Sequence, residues 1–336
     1  MSDFAWAIIG PGAIAHRFAE ALHHLPGTRL YAVLGRDLAR ADSFAAKWSG
    51  EGATPIVMPD LATLLADKRI DCIYIATPHS GHAEIARQCL VAGKAVLCEK
   101  PLVPNLMQAQ ALLALASERQ VFLMEALWTR FLPIYGVVQE WLKAHAIGKI
   151  HAIQSSFCFA SQYDADSRLY NPALAGGSLL DIGIYNVAMS RWVIEQALGT
   201  CPAPLSIHAD AVLAPTGVDQ RVTASMAFPG GITSQFICSF DTCADNTLRI
   251  FGERGSICLP QFWEATQATL QRNGESPHVV HAALRINGFE GEIEESIRCI
   301  RAGLTQSPQM PHSETLAIVT CLDSIRQQVG VCYPFE

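Results

Sequence analysis

The run Phe4-Ala-Trp-Ala-Ile-Ile-Gly10-Pro-Gly12-Ala-Ile-Ala15 predicts a buried strand, a tight glycine turn and a helix that begins near Ala13. This is the G-x-G-x-x-A pattern of a dinucleotide-binding βαβ unit. Gly10 permits a backbone angle that other residues resist, and Gly12 leaves no side chain between the helix and a pyrophosphate. An ordinary tight turn is the alternative interpretation. The candidate cofactor-binding residues here are Gly10, Gly12, Ala13 and Ile14.

Length and composition limit the classes of function. A chain of 336 residues is long enough for about two domains. Only 16% of the residues are charged, against roughly 25% in an average domain, which favours an apolar interface and oligomerisation. The net charge of −7 argues against nucleic acid as a partner. No apolar run approaches the roughly 20 residues of a membrane span, and Asp3 without basic neighbours is not typical of a signal peptide.

The eleven cysteines suggest metal or disulfide chemistry at first sight, but their spacing does not support it. The sequence contains no C-x-x-C pair, and most cysteines lie inside apolar patterns such as Leu97-Cys98 and Ile237-Cys238. Together with the odd number, this pattern predicts reduced, buried thiols and no metal site. We therefore expect a cytoplasmic protein.

The order of patterns predicts two domains of different class. Up to about residue 127, strands and alanine-rich helices alternate, which predicts a doubly wound parallel Rossmann sheet. After that point a helix, a strand and another helix lead into a series of strands and two closing helices. We therefore expect a dinucleotide-binding domain over 1–127 and an α+β domain over 128–336, with substrate-binding and dimerisation roles and a last helix near 313–329 that could pack back on the first domain.

The individual segments can be assigned from their periodicity. Predicted strands are 4–10, 29–35, 55–58, 71–76, 95–98, 121–124, 149–160, 206–213, 220–228, 231–240, 246–252 and 256–259. Predicted helices are 13–24, 37–48, 80–92, 104–118, 132–144, 178–196, 289–303 and 313–329. The later strands, separated by Gly, Pro and Asp turns, predict a mostly antiparallel sheet.

The end of the second strand bears on the choice of cofactor. Enzymes that prefer NAD carry an acidic residue there, which binds the ribose hydroxyls. Here the strand ends in Gly35 and is followed by Arg36, whose guanidinium could clamp a 2′-phosphate. Asp37 could instead bind the ribose, although a capping role on the next helix suits it better. The pattern favours NADP, with NAD as the alternative.

Three residues form a candidate proton-transfer set. Lys100 follows the fifth strand in Glu99-Lys100-Pro101, at the sheet edge where parallel sheets bind ligands. Asp181 and Tyr185 are four residues apart on a predicted helix and would share one face. A phenol near a lysine ammonium ionises more easily, so Tyr185 could exchange a proton with a substrate oxygen. A solvated surface lysine and a buried structural tyrosine are the alternatives.

Together these motifs resemble the Gfo/Idh/MocA oxidoreductases. The resemblance rests on the amino-terminal glycine turn, on Glu99-Lys100-Pro101 and on Gly176-Gly177…Asp181-x-Gly183-x-Tyr185, and it covers nearly the whole chain. Tyrosine at 185, where the family often has histidine, is similar to the branch that contains dihydrodiol dehydrogenase, NADP-dependent xylose dehydrogenase and glucose–fructose oxidoreductase. Met124-Glu-Ala-Leu-Trp128-Thr-Arg130 is a further match to this branch.

The resemblance implies roles for particular residues. Lys100 would be the essential lysine beside the nicotinamide, Tyr185 the acid/base, and Asp181 a residue that orients the substrate or Tyr185. Residues implied to line the cofactor cleft or to lie near nicotinamide and substrate are Thr77, Pro78, His79, His82, Glu99, Trp128 and Arg130. An H-x-x-H metal pair at His79 and His82 is the weaker interpretation. The family also implies a large open-faced second sheet with helices on one side, through which members dimerise.

Two functions are therefore expected from the sequence. The first is an NADP-dependent dehydrogenase or reductase acting on a secondary alcohol, hemiacetal or carbonyl of a sugar, polyol or trans-dihydrodiol. The second is a catalytically silent NADP-binding sensor, because the same architecture also serves as a corepressor. Retention of Lys100, Asp181 and Tyr185 favours the enzyme.

Overall fold

The computed structural model describes residues 3–50 and 54–336, which form two compact units. The first unit consists of 1–128 together with 285–316, and the second of 129–284 together with 317–336. The chain therefore returns to the first unit after building most of the second. Residues 285–316 lie outside the 1–127 boundary that the sequence predicts for the first domain.

The first unit contains a parallel sheet with helical crossovers. Among the described residues, its strands are β1 Phe4–Ile9, β2 Thr28–Leu34, β3 Ile56–Val57, β4 Cys72–Ile75, β5 Ala95–Glu99 and β6 Leu123–Ala126, in the spatial order β3-β2-β1-β4-β5-β6. The connecting helices are α1 Ala13–His24, α2 Leu38–Lys47, α3 Leu61–Ala66, α4 His82–Val91 and α5 Leu106–Arg119. The order reverses beside β1, so the loops after β1 and β4 meet at the point where such sheets bind ligands.

Aromatic packing fixes α1 against the sheet. The Phe18 ring of α1 stacks on the Tyr74 ring of β4 with centroids 3.7 Å apart, and it meets Trp6 of β1 edge-on at 5.2 Å. All three rings are completely buried. Aromatic pairs of this kind are worth about 0.5–1.5 kcal/mol beyond the area that they bury. They hold the start of α1 close to the carboxyl ends of β1 and β4.

Residues 285–316 close the first unit. The segment contains α8, Glu290–Arg301. Asn287 donates a hydrogen bond to the Arg17 carbonyl at 2.8 Å and accepts one at its own carbonyl from the Arg17 guanidinium at 3.0 Å. The Phe289 ring stacks on Trp128 at 5.0 Å. These contacts explain why residues so distant in sequence belong to one unit.

The second unit is built on an eight-stranded sheet, counting the described residues only. Its strands are β7 Ile150–Cys158, β8 Ser206–Leu213, β9 Asp219–Phe228, β10 Ile232–Ser239, β11 Thr247–Gly252, β12 Gly255–Pro260, β13 Gln267–Arg272 and β14 His278–His281, in the order β14-β13-β12-β11-β7-β10-β9-β8. Neighbours are antiparallel except for the parallel pair β7 and β10. The helices are α6 Pro133–Lys143 and α7 Ile184–Leu198, and α9, His312–Val329, begins in the first unit and ends in the second.

One face of this sheet carries the helices. Along β10 the residues Ile232, Ser234 and Phe236 are buried, whereas the intervening Thr233 and Gln235 are exposed. This alternation is what a half-covered antiparallel sheet requires. The buried side packs on α7, whose Ser190 hydroxyl accepts a hydrogen bond from Ser234 at 2.8 Å. The expected fold class, a Rossmann sheet followed by a mostly antiparallel sheet with helices on one side, is confirmed.

The structure adds elements that periodicity did not reveal. Helix α3 and strands β13 and β14 fall in segments that the sequence left unassigned, and a single π-helical turn, Leu179–Gly183, precedes α7. Short elements carry too few residues for a periodic pattern to be recognised. Within the described ranges, none of the helices combines the length and the apolar character needed to span a bilayer.

Candidate active site

The glycine turn after β1 has the geometry of a phosphate cradle. Gly10 has a φ of +93°, and a Cβ there would lie 2.7 Å from the Ala76 carbonyl oxygen. At Gly12, by contrast, no described atom beyond the chain neighbours lies within 4 Å of the position that a Cβ would take. Gly12 is the N-cap of α1, and no described side chain caps that helix. The Ala13 and Ile14 N–H groups thus begin a helix with open space in front of Gly12, which fits a pyrophosphate.

The end of β2 distinguishes two candidate ribose ligands. Arg36 is exposed there. The Asp37 carboxylate accepts a hydrogen bond from the Arg40 backbone N–H at 3.1 Å and caps α2. This is the role that the sequence favoured for Asp37. After β2, the Arg36 guanidinium is therefore exposed, whereas the Asp37 carboxylate is engaged as a helix cap.

The loop after β4 holds a second group suited to a dinucleotide. The Thr77 hydroxyl oxygen is buried and has no hydrogen-bond partner among the described residues. Pro78 follows it and accepts a hydrogen bond from the Gly81 N–H at 2.9 Å, which closes a short turn containing His79. A buried hydroxyl without a partner is costly, and a bound cofactor at this strand end would supply one.

His82 supports the loops. Its ring is fully buried between two carbonyl oxygens, with Nδ1 2.9 Å from Pro101 O and Nε2 2.9 Å from Thr77 O. Burial lowers the pKa of His82, so the ring is neutral near pH 7 and donates from one nitrogen only. It links the loops after β4 and β5. The His79 ring lies 5.8 Å from it, and among residues 3–50 and 54–336 no group of three or more His, Cys, Asp or Glu side chains could hold a metal ion.

Lys100 stands at the carboxyl end of β5 and is partly exposed. The preceding Glu99 is buried, and its carboxyl group accepts hydrogen bonds from the Tyr74 hydroxyl and, at 3.2 Å, from the Lys100 backbone N–H. On the other side, the buried Glu125 accepts from the Leu102 N–H at 2.8 Å. Two buried carboxyl groups therefore fix the backbone on both sides of Lys100.

A third carboxyl group, which the sequence analysis missed, lies in the same unit. Glu292 on α8 is fully buried, and neither of its carboxyl oxygens has a hydrogen-bond partner among the described residues. Burial raises the pKa of Glu292 well above its usual range, and the negative charge of Glu99 raises it further. Both effects favour the protonated, neutral form of Glu292. No local motif marks it, because α8 is distant in sequence from β5.

Trp128 lies within the first unit as part of a stack. Its ring is buried against Phe289, and the Arg17 guanidinium lies 4.9 Å from the Trp128 centroid and 5.2 Å from the Phe289 centroid. Arg17 is on α1, one helical turn beyond the glycine cradle. The stack ties the strand that leads to Trp128 to the helix that would bind phosphate.

In the second unit, Asp181 and Tyr185 lie at the π-helical turn. Asp181 is inside the turn and Tyr185 is the second residue of α7, and both are about 95% buried. The Arg168 guanidinium pairs with the Asp181 carboxylate at 3.0 Å. π-Helical turns occur often at functional sites because they re-aim side chains. Arg168 is a candidate site residue that the sequence reasoning missed, although it lies in the polar loop that precedes the helix.

An aromatic ring packs beside Tyr185. The Phe157 ring at the end of β7 lies 5.7 Å from the Tyr185 ring, and Trp263 stacks on Phe157 at 3.8 Å. The stacked pair of Phe157 and Trp263 therefore flanks Tyr185 through the Phe157 ring.

Arg130 also belongs to the second unit. Its guanidinium is buried and pairs with the Glu195 carboxylate at 2.9 Å. Glu195 is ten residues beyond Tyr185 on α7, a rise of about 15 Å along the helix axis. Within the second unit, the structure brings Arg168 to Asp181 and Phe157 to Tyr185.

Comparison with known families agrees with the two halves of the chain. Residues 4–127 match the Gfo/Idh/MocA model described as an oxidoreductase family with an NAD-binding Rossmann fold. Residues 135–258 match the model of the GFO/IDH/MocA C-terminal domain. The first match covers the glycine cradle and Lys100, and the second covers Asp181 and Tyr185.

Relatives match over almost the full chain. The trans-1,2-dihydrobenzene-1,2-diol dehydrogenases of Mus musculus and Danio rerio are 32% and 33% identical to it, over 98% of this chain and 98% and 97% of theirs. Among solved structures, KijD10, a 3-ketoreductase from Actinomadura kijaniata in complex with NADP and TDP-benzene, has a TM-score of 0.86 at 24% identity and 98% coverage of both chains. The aldose-aldose oxidoreductase of Caulobacter crescentus has a TM-score of 0.85 at 21% identity, again over 98% of both chains. This chain belongs to the Gfo/Idh/MocA family of oxidoreductases, with an amino-terminal dinucleotide-binding Rossmann domain.

Proposed function

We propose that this protein is an NADP(H)-dependent oxidoreductase that transfers hydride between nicotinamide and a secondary alcohol, hemiacetal or carbonyl carbon of a sugar, polyol or trans-dihydrodiol. The observation that carries the proposal is the buried Asp181 and Tyr185 pair at the π-helical turn. A catalytically silent NADP-binding sensor has no need of a buried carboxylate beside a buried phenol, since burying such groups lowers stability.

The chain's own residues would manage the proton. In the oxidation direction the Tyr185 oxygen accepts the proton of the substrate hydroxyl, and in reduction it returns that proton to the carbonyl oxygen. Lys100 assists through its positive charge, which favours the phenolate form. Asp181, oriented by Arg168, would bind substrate hydroxyls or orient Tyr185. When bound, the cofactor supplies or accepts the hydride.

Support for NADP over NAD comes from the end of β2. Arg36 is exposed there and Asp37 is engaged as a helix cap. A guanidinium attracts a 2′-phosphate, whereas a free carboxylate would repel it. The expected result is a lower KM for NADP than for NAD, and Arg36→Ala should raise the KM for NADP while changing that for NAD little. Equal or better use of NAD by the unaltered protein would refute the assignment.

The substrate class is open to a direct screen. Trans-dihydrodiols come first because relatives at 32–33% identity are named as dihydrodiol dehydrogenases, followed by aldoses and polyols. NADPH absorbance reports turnover in either direction. A protein that binds NADPH but turns over no member of these classes would be a sensor instead.

The proposed roles are tested on a confirmed substrate. Tyr185→Phe and Lys100→Ala should each lower kcat by at least about 100-fold, the usual contribution of a positioned acid/base. Tyr31→Phe is the matched control, because it removes a tyrosine hydroxyl that bonds Asp67 in the first unit. Unchanged turnover in Tyr185→Phe would show the mechanism to be wrong.

We also propose that the protein is a homodimer, formed through the exposed face of the second unit's sheet, and that it acts in the cytoplasm. The low content of charged residues supports an apolar interface. On that face the exposed side chains of Gln154 and Gln235 bond each other at 3.2 Å.

A further inference from the structure

The turn that leads into the Asp181 and Tyr185 helix is held by residues outside that helix. This turn, Gly176–Leu179, ends where the π-helical turn begins. Gly177 has a φ of +123°, a conformation that favours glycine. Its N–H donates to the Leu169 carbonyl at 2.8 Å, and the Asp181 N–H donates to the Gly177 carbonyl at 3.2 Å. The position of Asp181 therefore depends directly on the turn.

Asp219 of β9 holds the turn from one side. Its side chain is fully buried, and its Oδ2 accepts hydrogen bonds from the Leu179 N–H at 2.6 Å and from the Ser178 hydroxyl at 2.9 Å. A carboxylate at this place caps the start of the helix from a neighbouring strand and interacts favourably with the helix dipole. A Cβ at Gly177 would collide with the same carboxylate, so glycine is also required by close approach.

Tyr333 holds the turn from the other side. Its buried hydroxyl donates to the Gly176 carbonyl oxygen at 2.8 Å. Burial raises the pKa of Tyr333 well above its usual range, so its hydroxyl is protonated and can donate at neutral pH. Asp219 and Tyr333 thus bind successive parts of one turn, although they are far apart in sequence.

Arg326 of α9 fixes the segment that carries Tyr333. Its guanidinium lies 4.9 Å from the centre of the Tyr333 ring, donates to both carboxylate oxygens of Glu336 at 2.8 Å, and donates to the Val331 carbonyl at 3.3 Å. It also pairs with Asp323 at 2.5 Å. A buried arginine with these partners makes the 331–336 segment a rigid support.

We propose that Asp219 and Tyr333 are positioning residues for the reaction, which together fix the Gly176–Leu179 turn and thereby the placement of Asp181 and Tyr185. This inference rests on the proposed function for its catalytic consequence, while its structural part does not. It assigns a task to the segment 331–336, which contains none of the candidate catalytic residues.

The experiment compares two conservative variants of the full chain. Tyr333→Phe keeps the ring and removes only the donor to Gly176, and Asp219→Asn keeps the shape of the side chain while removing its charge. Hydrogen–deuterium exchange at residues 176–182 should rise in both variants. With a confirmed substrate, kcat should fall about 10- to 100-fold, the scale expected for small displacements of reacting groups, while the dissociation constant for NADPH stays within about twofold.

Ser234→Ala is the matched control. It also removes a buried hydrogen bond to α7, but at Ser190, beyond Tyr185. It should leave kcat unchanged. Asp219 and Tyr333 act on the same turn. The double variant Asp219→Asn/Tyr333→Phe should therefore lower kcat by less than the product of the two single effects. If Asp219→Asn fails to fold, Tyr333→Phe alone decides the result.

Three results would overturn the inference: unchanged exchange at 176–182, raised exchange with unchanged kcat, or an equal loss of kcat in Ser234→Ala. A wild-type protein that binds NADPH but turns over no substrate would contradict the proposed function instead. In that case the predicted effect of Asp219 and Tyr333 on kcat is also refuted. Hydrogen–deuterium exchange at residues 176–182 still decides whether these two residues hold the turn.

Discussion

Glu292 is a residue whose ionisation opposes folding. Its carboxyl group is fully buried without a hydrogen-bond partner among the described residues, and it faces the charge of Glu99. The folded protein therefore binds this proton more tightly than the unfolded chain does. The stabilising effect is complete below the unfolded pKa of about 4.5 and is lost as the pH rises toward the raised pKa of the folded state.

Glu292→Gln should consequently stabilise the protein relative to wild type as the pH rises. The difference in free energy of unfolding should grow between pH 5 and pH 7 by up to about 1.4 kcal/mol per pH unit, because glutamine does not titrate. Urea unfolding at both pH values measures it. Glu118→Gln, at an exposed position on α5, is the control. A difference that does not change with pH would show that Glu292 ionises normally in the folded protein.

Replacing Gly10 or Gly12 by alanine should affect different properties: stability at Gly10 and cofactor binding at Gly12. Gly10→Ala forces a Cβ to within 2.7 Å of the Ala76 oxygen at a positive φ, so the free energy of unfolding should fall. Gly12→Ala has room for its methyl group and should fold normally while weakening NADPH binding about tenfold or more, since the methyl group occupies the pyrophosphate space. Thermal unfolding without ligand and fluorescence titration with NADPH separate the two. Unaltered NADPH affinity in Gly12→Ala would contradict the cradle.

At the scale of single residues, the sequence predicts which residues belong to a candidate site better than it predicts which side chains they contact. The glycine turn and the Glu99-Lys100-Pro101 motif are local patterns whose chemistry can be recognised in a few residues. The pairing of Arg168 with Asp181 and that of Arg130 with Glu195 depend on tertiary packing. A local sequence pattern contains no information about such contacts. Glu292 is hidden for the same reason, because an amphipathic helix gives no sign that one of its glutamates faces the core.

The π-helical turn is the element on which the second half of the site depends. Gly183 ends it, and a Cβ there would lie 2.8 Å from Cys238 Sγ on β10 and 3.0 Å from Leu179 Cδ1. The turn therefore packs on the sheet more closely than a residue with a side chain allows. This contact holds the turn that precedes α7 against β10.

Gly183→Ala should lower the free energy of unfolding by about 1–3 kcal/mol, as overpacking does. Cys238→Ala removes the opposing sulfur, so the added methyl group should cost less in that background. A double-mutant cycle by urea denaturation measures the coupling. Strict additivity of the two changes would show that the close approach does not constrain the turn.

Long elements were predictable because their periodicity is strong. The helix expected over 13–24 and the strand expected over 206–213 have those bounds in the structure. The π-helical turn was missed because its sequence differs little from that of an ordinary helix start. The strand β14 has only four residues and lies at the sheet edge, where an alternating pattern is too short to recognise.

At the scale of the whole molecule, the proposed dimer can be tested through one side chain. Gln235 is exposed on the proposed interface face. In a two-fold interface each substitution occurs twice, so Gln235→Lys adds two like charges to a surface that would be desolvated. Analytical ultracentrifugation should show a dimer for the wild type and dissociation for the variant. Gln88→Lys on α4 makes the same change in charge and should leave the mass unaltered; a monomeric wild type would refute the dimer.

The return of residues 285–316 to the first unit also determines when this unit can be completed during synthesis. Trp128 and Arg17 receive their partners Phe289 and Asn287 only after the intervening chain has been made. At about 5–20 residues per second, synthesis from Trp128 to Phe289 takes roughly 8–32 s. Throughout that interval the nascent chain carries a nucleotide-binding unit that lacks α8 and the contacts of Asn287 and Phe289, so we expect NADPH to stabilise it only after translation has passed α8.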